Sequence, residues 1–362
     1  MKKFLNFNTF VIICSILGIA GVFLIRRMDP FRSATREGVA LDTLIRVTAG
    51  AAKPKAEIER ILDGAFALVS ESEKKFSMHD PNSEISAISA ATGHEAIKTS
   101  DGTYAVLAAA LHIARLTDGA FDPTMGSVSA LWQKYLPDGK TPSDEEVSAA
   151  LLRVGYDRLR LQAPDTVFLD QEGTLDLGGI AKGYVSEMVR DYLRKEGVTS
   201  ALIDLGGNIV VMGGRAEMGE AERQPWNIGI QDPGNTSRTP ICALILHEGS
   251  VITAGVYERY WEVGGHRYTH IFDPATGRPL EGSLKSVTIV SNDPTQGDAL
   301  STAFMVMGEE RSLELLRAIP SCDAIFISDD GNGKHRILAT SGLMDSLKPM
   351  PGGEPIYFYD IQ

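Results

Sequence analysis

The chain has 362 residues, 43% of them apolar and 23% charged, which is enough for a large folded core in one or two domains. Lys and Arg number 35 against 47 Asp and Glu, a net charge of −12. So acidic a chain excludes general binding of nucleic acid, because phosphates would find no cations to displace their counterions. A phosphate ligand would have to be held locally, by backbone donors, a metal or single lysines.

The chain begins with Lys2-Lys3, an apolar run over residues 10–25, and Arg26-Arg27. This pattern reads as a signal peptide or an uncleaved signal anchor over residues 1–28, and the lack of a small-residue cleavage site favours the anchor. Basic residues on both flanks leave its orientation open. Residues 29–37 read as a linker, 38–345 as the working domain and 346–362 as a tail. Within the domain, Gly38 to Val47 reads as a first strand. Pro54 to Phe76 has helical spacing, with Ile58, Ile61, Leu62, Phe66 and Val69 on one face. A turn at Asp80-Pro81-Asn82-Ser83 precedes a short helix. Asp101 to Leu116 is a further helix, broken by Asp118 to Pro123, and Ser143 to Arg153 another, opened by a Ser cap. Val167-Phe168-Leu169 and Thr174 to Leu177 look like a hairpin around Gln171-Glu172-Gly173. Gly178-Gly179 leads into a helix over Ala181 to Lys195. Strands are expected over 201–212, 226–230, 241–246, 287–290, 324–328 and 337–340, and helices over 298–307 and 310–319. Strands and helices mix without strict alternation, so the fold class is α+β. Cys242 and Cys322 belong to no C-x-x-C and no disulfide framework, and are expected as buried free thiols.

Three blocks carry chemistry. In Asp176-Leu-Gly-Gly-Ile-Ala-Lys182-Gly a strand ends, two glycines turn the chain and a helix begins. Exposed amides, the helix dipole and Lys182 suit an anion there, although a strand-to-helix turn with a solvated lysine reads as well. In Asp298-Ala-Leu-Ser-Thr302, a carboxylate and a hydroxyl four residues apart share one helix face. Such hard oxygens suit Mg²⁺, but Asp298 could equally cap the helix. In His270-Ile-Phe-Asp273-Pro-Ala-Thr276-Gly277-Arg-Pro279, a histidine precedes a rigid turn, as a general base or as a structural residue. Gly206-Gly207-Asn208 reads as a tight turn. The aromatics of Thr253-Ala-Gly255-Val-Tyr257-Glu-Arg259-Tyr260 fit either ring stacking or sheet packing.

Taken together and in order, Gly119-Ala-Phe-Asp122-Pro-Thr124, the Asp176 to Tyr184 block, Gly206-Gly207-Asn208, Tyr257-Glu-Arg-Tyr260, the His270 to Pro279 block and Asp298-Ala-Leu-Ser-Thr302-Ala resemble the FAD:protein FMN transferase (ApbE) family. The likeness runs from about Gly38 to Ser341. It implies a T-fold-like α+β protein of two lobes with a FAD-binding cleft. By similarity Leu41, Ala120, Phe121 and Asp122 line the flavin site, Asp176 and Lys182 hold the nucleotide, and His270 lies beside the diphosphate. The backbone carbonyl of Gly179, with Asp298 and Thr302, would hold Mg²⁺.

The implied reaction moves FMN from FAD to a Thr or Ser hydroxyl of an acceptor redox protein and releases AMP. His270 and Asp176 are both candidates for the base. A Mg²⁺-dependent FAD pyrophosphatase and a non-catalytic FAD-binding protein are the alternatives. The acceptor would be a subunit of a membrane electron-transport complex. The enzyme would be anchored in a bacterial inner membrane with its catalytic domain on the periplasmic side. Three positions depart from the family pattern: Leu41-Asp42-Thr43 for Met-Gly-Thr, Ser77-Met78-His79 for Ser-x-Tyr, and Thr253-Ala254-Gly255 for Thr-Ser-Gly. All three fall on the flavin side; the metal and phosphate residues are present.

Overall fold

The structure, a computed structural model, describes residues 31–170, 172–215, 223–234, 239–351 and 353–361. The expected anchor lies outside these residues, as does Gln171. Among the described residues no helix is long and apolar enough to cross a membrane.

The described chain opens with a hairpin of β1 (Arg32–Ala40) and β2 (Thr43–Ala51), paired from Arg32 with Ala51 to Ala40 with Thr43. A single strand was expected over part of this stretch. The difference lies at Leu41 and Asp42, whose φ angles of 54° and 56° make a two-residue turn without the glycine that usually marks one. Left-handed backbone costs non-glycine residues on the order of 1–3 kcal/mol each, so the surroundings must hold this turn.

α1 (Lys55–Phe76), α2 (Glu84–Ala90) and α3 (Asp101–Leu116) follow as expected, with β3 (Ile97–Lys98) before α3. α4 (Gly126–Tyr135) was not expected; it is short and starts on a glycine, so its apolar period is weak. α5 (Asp144–Leu151) carries a reciprocal capping box between Ser143 and Glu146. β4 (Leu159–Gln162) and β5 (Thr166–Leu169) pair with each other. The expected hairpin of β5 with residues 174–177 does not form. Those residues bond elsewhere: Gly126 N to the Thr174 carbonyl at 3.0 Å, Leu175 N to Ser89 Oγ at 3.1 Å, and Asp176 N to the Pro123 carbonyl at 2.8 Å.

α6 (Ala181–Lys195) is followed by β6 (Ser200–Leu205) and β7 (Asn208–Met212), which turn at Gly206-Gly207. β8 (Trp226–Gln231), β9 (Pro240–Leu246) and β10 (Gly249–Gly255) come next, then two small hairpins of β11 (Tyr260–Val263) with β12 (His266–Thr269) and β13 (Phe272–Asp273) with β14 (Arg278–Pro279). β15 (Leu284–Ser291) leads to α7 (Pro294–Leu316), which is broken at Gly308 (φ 75°), close to the two helices expected there. β16 (Cys322–Asp329), β17 (His335–Thr340), β18 (Leu347–Pro349) and β19 (Ile356–Tyr359) complete the chain. Thus part of the stretch read as a tail pairs, in parallel, with β17.

The main sheet runs β1-β2-β6-β7-β10-β15-β16-β17-β19 and is antiparallel up to β17. Alternation assigns its two faces. Val287 and Ile289, with Ala324 and Phe326, join α1, α6 and α7 in the largest core. Ile325, Ile327 and Val251 face the other way, onto the sheet of β8, β9 and β18. β16 is therefore apolar on both faces, which explains its unbroken Ala-Ile-Phe-Ile run. A third cluster of Met125, Val128, Trp132, Leu136 and Val147 packs α4 and α5 against Tyr268 and Phe272. Cys242 and Cys322 are buried free thiols, and burial pushes them up to about 12 and about 11.

α6 and α7 cross at Gly183. A Cβ there would stand 2.2 Å from the Pro294 carbonyl oxygen and 2.6 Å from Asp298 Cβ. Gly183→Ala is therefore expected to lower stability by roughly 1–3 kcal/mol through overpacking, despite the better helix propensity of alanine. Thermal unfolding of the variant checks this; an unchanged or raised Tm would contradict so close a crossing.

Candidate active site

A cleft of about 650 Å³ opens at the ends of β2 and β10, and α1, α4, α6, α7 and the His270 segment line it. Leu41, Ala120, Phe121, Asp122, Asp176, Gly179, Lys182, His270, Asp298 and Thr302 all line this one cavity. Residues drawn from across more than 250 positions of sequence thus meet in one place.

The floor is built where α6 meets α7. Asp293, not Asp298, caps α7: its side chain accepts from Gln296 N at 2.8 Å. Asp298 lies one turn further in, 4% exposed, and its Oδ2 accepts from the Gly183 amide at 2.8 Å. The capping alternative for Asp298 is thereby removed. Thr302 follows on the same face. Its Oγ1 stands 3.1 Å from where a Cβ of Gly179 would lie, so the Gly179 backbone approaches it closely. Asp298, Thr302 and Gly179 thus line one part of the cavity. Among the described residues no group of three or more His, Cys, Asp or Glu could hold a metal. The oxygen set on α7 is of another make-up, and hard oxygens of this kind fit Mg²⁺ rather than a softer cation.

The next wall is the turn before α6. Asp176 accepts from Ser129 Oγ at 2.6 Å and from Gly178 N at 2.8 Å, so both its oxygens shape the corner. Lys182 stands in the first turn of α6, where the Ala181 amide bonds to the Leu177 carbonyl and the Gly183 amide to Asp298, so the lysine charge and the helix dipole are what favour an anion. Against this corner, with the Phe121 ring close to Gly179, Ala120, Phe121 and Asp122 are buried. The Asp122 carboxylate accepts from Thr124 N (2.8 Å), Thr124 Oγ1 (2.6 Å) and Tyr156 N (2.8 Å). Burial raises its pKa, and these bonds oppose the rise. Its side chain therefore builds the turn, and the neighbouring wall is left to Phe121 and the backbone.

His270 is held from two sides. Its segment rests on Trp132, whose Nε1 donates to the Gly277 carbonyl at 2.8 Å and whose ring stacks on Phe272 with centroids 6.2 Å apart. Its Nδ1 lies 3.0 Å from the Arg259 carbonyl. A carbonyl only accepts, so the proton sits on Nδ1 and Nε2 keeps its lone pair. Burial in the cleft lowers the pKa to about 4; the hydrogen bond to the Arg259 carbonyl opposes this most, the charges of Lys182 and Arg259 lower it further, and Asp176 raises it slightly.

Two acidic residues of the cleft were not singled out in the sequence: Glu258 and Glu73. Glu258 stands in the concave wall, where water reaches it but protein surrounds it. Burial pushes its carboxyl up to about 7, opposed by Lys182 and reinforced by Asp298. The Tyr257 to Tyr260 block was weighed for its aromatics, yet Tyr257 packs on Gly255 and Tyr260 lies under Arg267, 4.0 Å from ring centroid to guanidinium. The charged pair between them, Glu258 and Arg259, lines the cleft instead. Gly206-Gly207-Asn208 is the β6–β7 turn.

The His270 shift has a consequence for the ligand-free protein. With a folded value near 4 and an unfolded value of 6.5, the unfolded chain binds the extra proton between those pH values. Stability from this group is complete above pH 6.5 and is lost as pH falls toward 4. In His270→Asn this loss is absent, so the variant should gain Tm relative to the parent as pH falls through that window. A Tm difference independent of pH would contradict the shift.

A family model described as the ApbE family matches residues 41–326. A protein of Treponema pallidum named FAD:protein FMN transferase is 35% identical over 348 residues, spanning 93% of this chain and 94% of that one. A Klebsiella pneumoniae protein of the same name is 33% identical over 75% of this chain and 83% of its own. Among solved structures, flavin transferase ApbE from Vibrio cholerae superposes with a TM-score of 0.76 at 28% identity, covering 88% of this chain and all of that one. The ApbE protein of Thermotoga maritima gives 0.73 at 32% identity, over 82% and 94%. The mixed fold is that of these structures, and the chain belongs to the ApbE family.

Proposed function

We propose that this protein transfers the FMN half of FAD to a Thr or Ser hydroxyl of an acceptor redox protein. The observation that carries the reading is the single cleft, in which an anion-favouring helix start, a neutral histidine and a hard-oxygen set on α7 face one another. Its volume of about 650 Å³ lies within the ordinary range of small-molecule sites. Leu41, Ala120 and Phe121 supply the apolar and aromatic wall on which a flavin ring packs. Lys182, at the start of α6, suits the diphosphate.

The acceptor oxygen forms a bond to the FMN-side phosphorus, and the bond from that phosphorus to the bridging oxygen breaks. AMP leaves with the bridging oxygen. The hydroxyl proton goes to a base, and His270 Nε2 is the lone pair best disposed for it. The imidazole is neutral throughout the physiological range, and its low proton affinity rises when a diphosphate stands beside it. Asp176 is the other candidate, with both oxygens already accepting bonds. Gly179 O, Asp298 and Thr302 would hold Mg²⁺, which supplies charge neutralisation at the diphosphate when bound. Lys182 adds a fixed positive charge to the same oxygens. We further propose that residues 1–28 anchor the enzyme in a bacterial inner membrane with the cleft on the periplasmic side. An acceptor there would belong to a membrane electron-transport complex.

The test mixes the full chain with FAD, Mg²⁺ and a candidate acceptor, then looks for flavin fluorescence on the denatured acceptor. A fluorescent band that requires the acceptor's hydroxyl supports transfer; free FMN and AMP without a band indicate a pyrophosphatase. Asp298→Ala should lower transfer by about 10²–10³-fold and remove its response to Mg²⁺, with a lowered Tm because the buried Gly183 amide loses its acceptor. Full activity in that variant would sink the cation argument. His270→Ala should slow turnover far more than it weakens FAD binding; the reverse pattern would reduce His270 to a binding residue.

A further inference from the structure

Arg259 stands at a junction in the cleft wall. Its Nη2 donates to the backbone carbonyl of Asp42 at 3.2 Å, and its own carbonyl accepts from His270 Nδ1 at 3.0 Å and from His270 N at 3.2 Å. Asp42 is the second residue of the left-handed β1–β2 turn, and the first, Leu41, donates its amide to Glu73 Oε1 at 2.8 Å. Glu73, Leu41, Asp42, Arg259 and His270 all line the same cavity. The conformationally costly turn is thus gripped at one residue from α1 and at the next from the segment that orients His270.

The segment between β10 and β11 is short and lightly held. Val256 N bonds to the Lys285 carbonyl at 3.0 Å, and Glu258 N reaches Gly255 O at 3.4 Å. The peptide after these, whose oxygen sets the His270 tautomer, depends on the Arg259 side chain for its attachment to the opposite wall. Nothing in the reaction requires this guanidinium to touch a reacting atom. Its place makes it a tie between two parts of the site.

We propose that Arg259 is a positioning residue that ties the Leu41–Asp42 turn to His270, so that the wall for the flavin ring and the lone pair of the imidazole are set together. The inference rests on the proposed function for its kinetic consequence, but not for its structural one. Removing the side chain cuts the tie between the Asp42 turn and the Arg259 peptide, leaves that peptide held by the His270 amide alone, and lets the imidazole exchange its Nδ1–H tautomer for the other. A lysine at 259 keeps a donor of similar reach toward the Asp42 carbonyl, without the planar fork.

The test compares the full chain with its Arg259→Ala and Arg259→Lys variants in two ways. Ring ¹⁵N shifts of His270, assigned by their loss in His270→Gln, report the tautomer in ligand-free protein. Steady-state kinetics with FAD and acceptor report turnover. The alanine variant should show a mixed tautomer and a kcat lowered by roughly ten- to a hundredfold, with KM for FAD changed less than about threefold. The lysine variant should restore most of both. A pure Nδ1–H tautomer in Arg259→Ala overturns the proposal, as does a mixed tautomer with unchanged kcat. If the parent chain shows no flavin transfer at all, the functional reading fails, and the tautomer comparison alone still decides whether Arg259 sets His270.

Discussion

One buried hydrogen bond, from the Gly183 amide to the Asp298 carboxylate, holds the start of α6 against α7 at 2.8 Å. The contact is possible only because residue 183 has no side chain. It fixes two things together. The carboxylate is kept on the floor of the cleft, and the first turn of α6 is aimed at the same space. The Gly178-Gly179 corner enters over Thr302 on one side, and Lys182 stands beside Glu258 and His270 on the other. Loosening this crossing would separate the anion-favouring helix start from the hard oxygens on α7.

The electrostatics follow from that arrangement. The chain as a whole carries −12, so nothing at long range draws in an anion. The cleft answers locally, with Lys182 set among Asp176, Asp298 and Glu258. Burial drives Glu258 toward its neutral form against the pull of Lys182, with Asp298 adding to the rise, and burial together with Lys182 and Arg259 keeps His270 neutral. A diphosphate with a divalent cation is the kind of ligand that meets both signs at once. A bare anion would meet repulsion from Asp298, and a bare cation would meet Lys182.

Much of this was legible in the sequence, for definable reasons. Long helices with a clear 3.6 period, such as α1, α3 and α6, fell within a residue of their expected limits, and the Ser143 cap was read from its type and spacing. The elements that were missed lack such signals. The β1–β2 turn is made by Leu41 and Asp42 without glycine, and residues 174–177 have strand composition but spend their amides on the Asp122 turn and Ser89. For the site, ordered motifs identified the residues that line the cleft, but not what each does there. Asp122 is consumed by its own turn, and the part of Arg259 that matters most to His270 is a backbone carbonyl, which no side-chain pattern can reveal.

The account stands most directly on where FAD lies. A crystal structure of the full chain with FAD and Mg²⁺ measures it. The account predicts the flavin ring against Leu41 and Phe121, the diphosphate between Lys182 and His270 Nε2, and the cation on Asp298, Thr302 and the Gly179 carbonyl. A nucleotide bound with its adenine against Phe121, or a cation held away from α7, would contradict it.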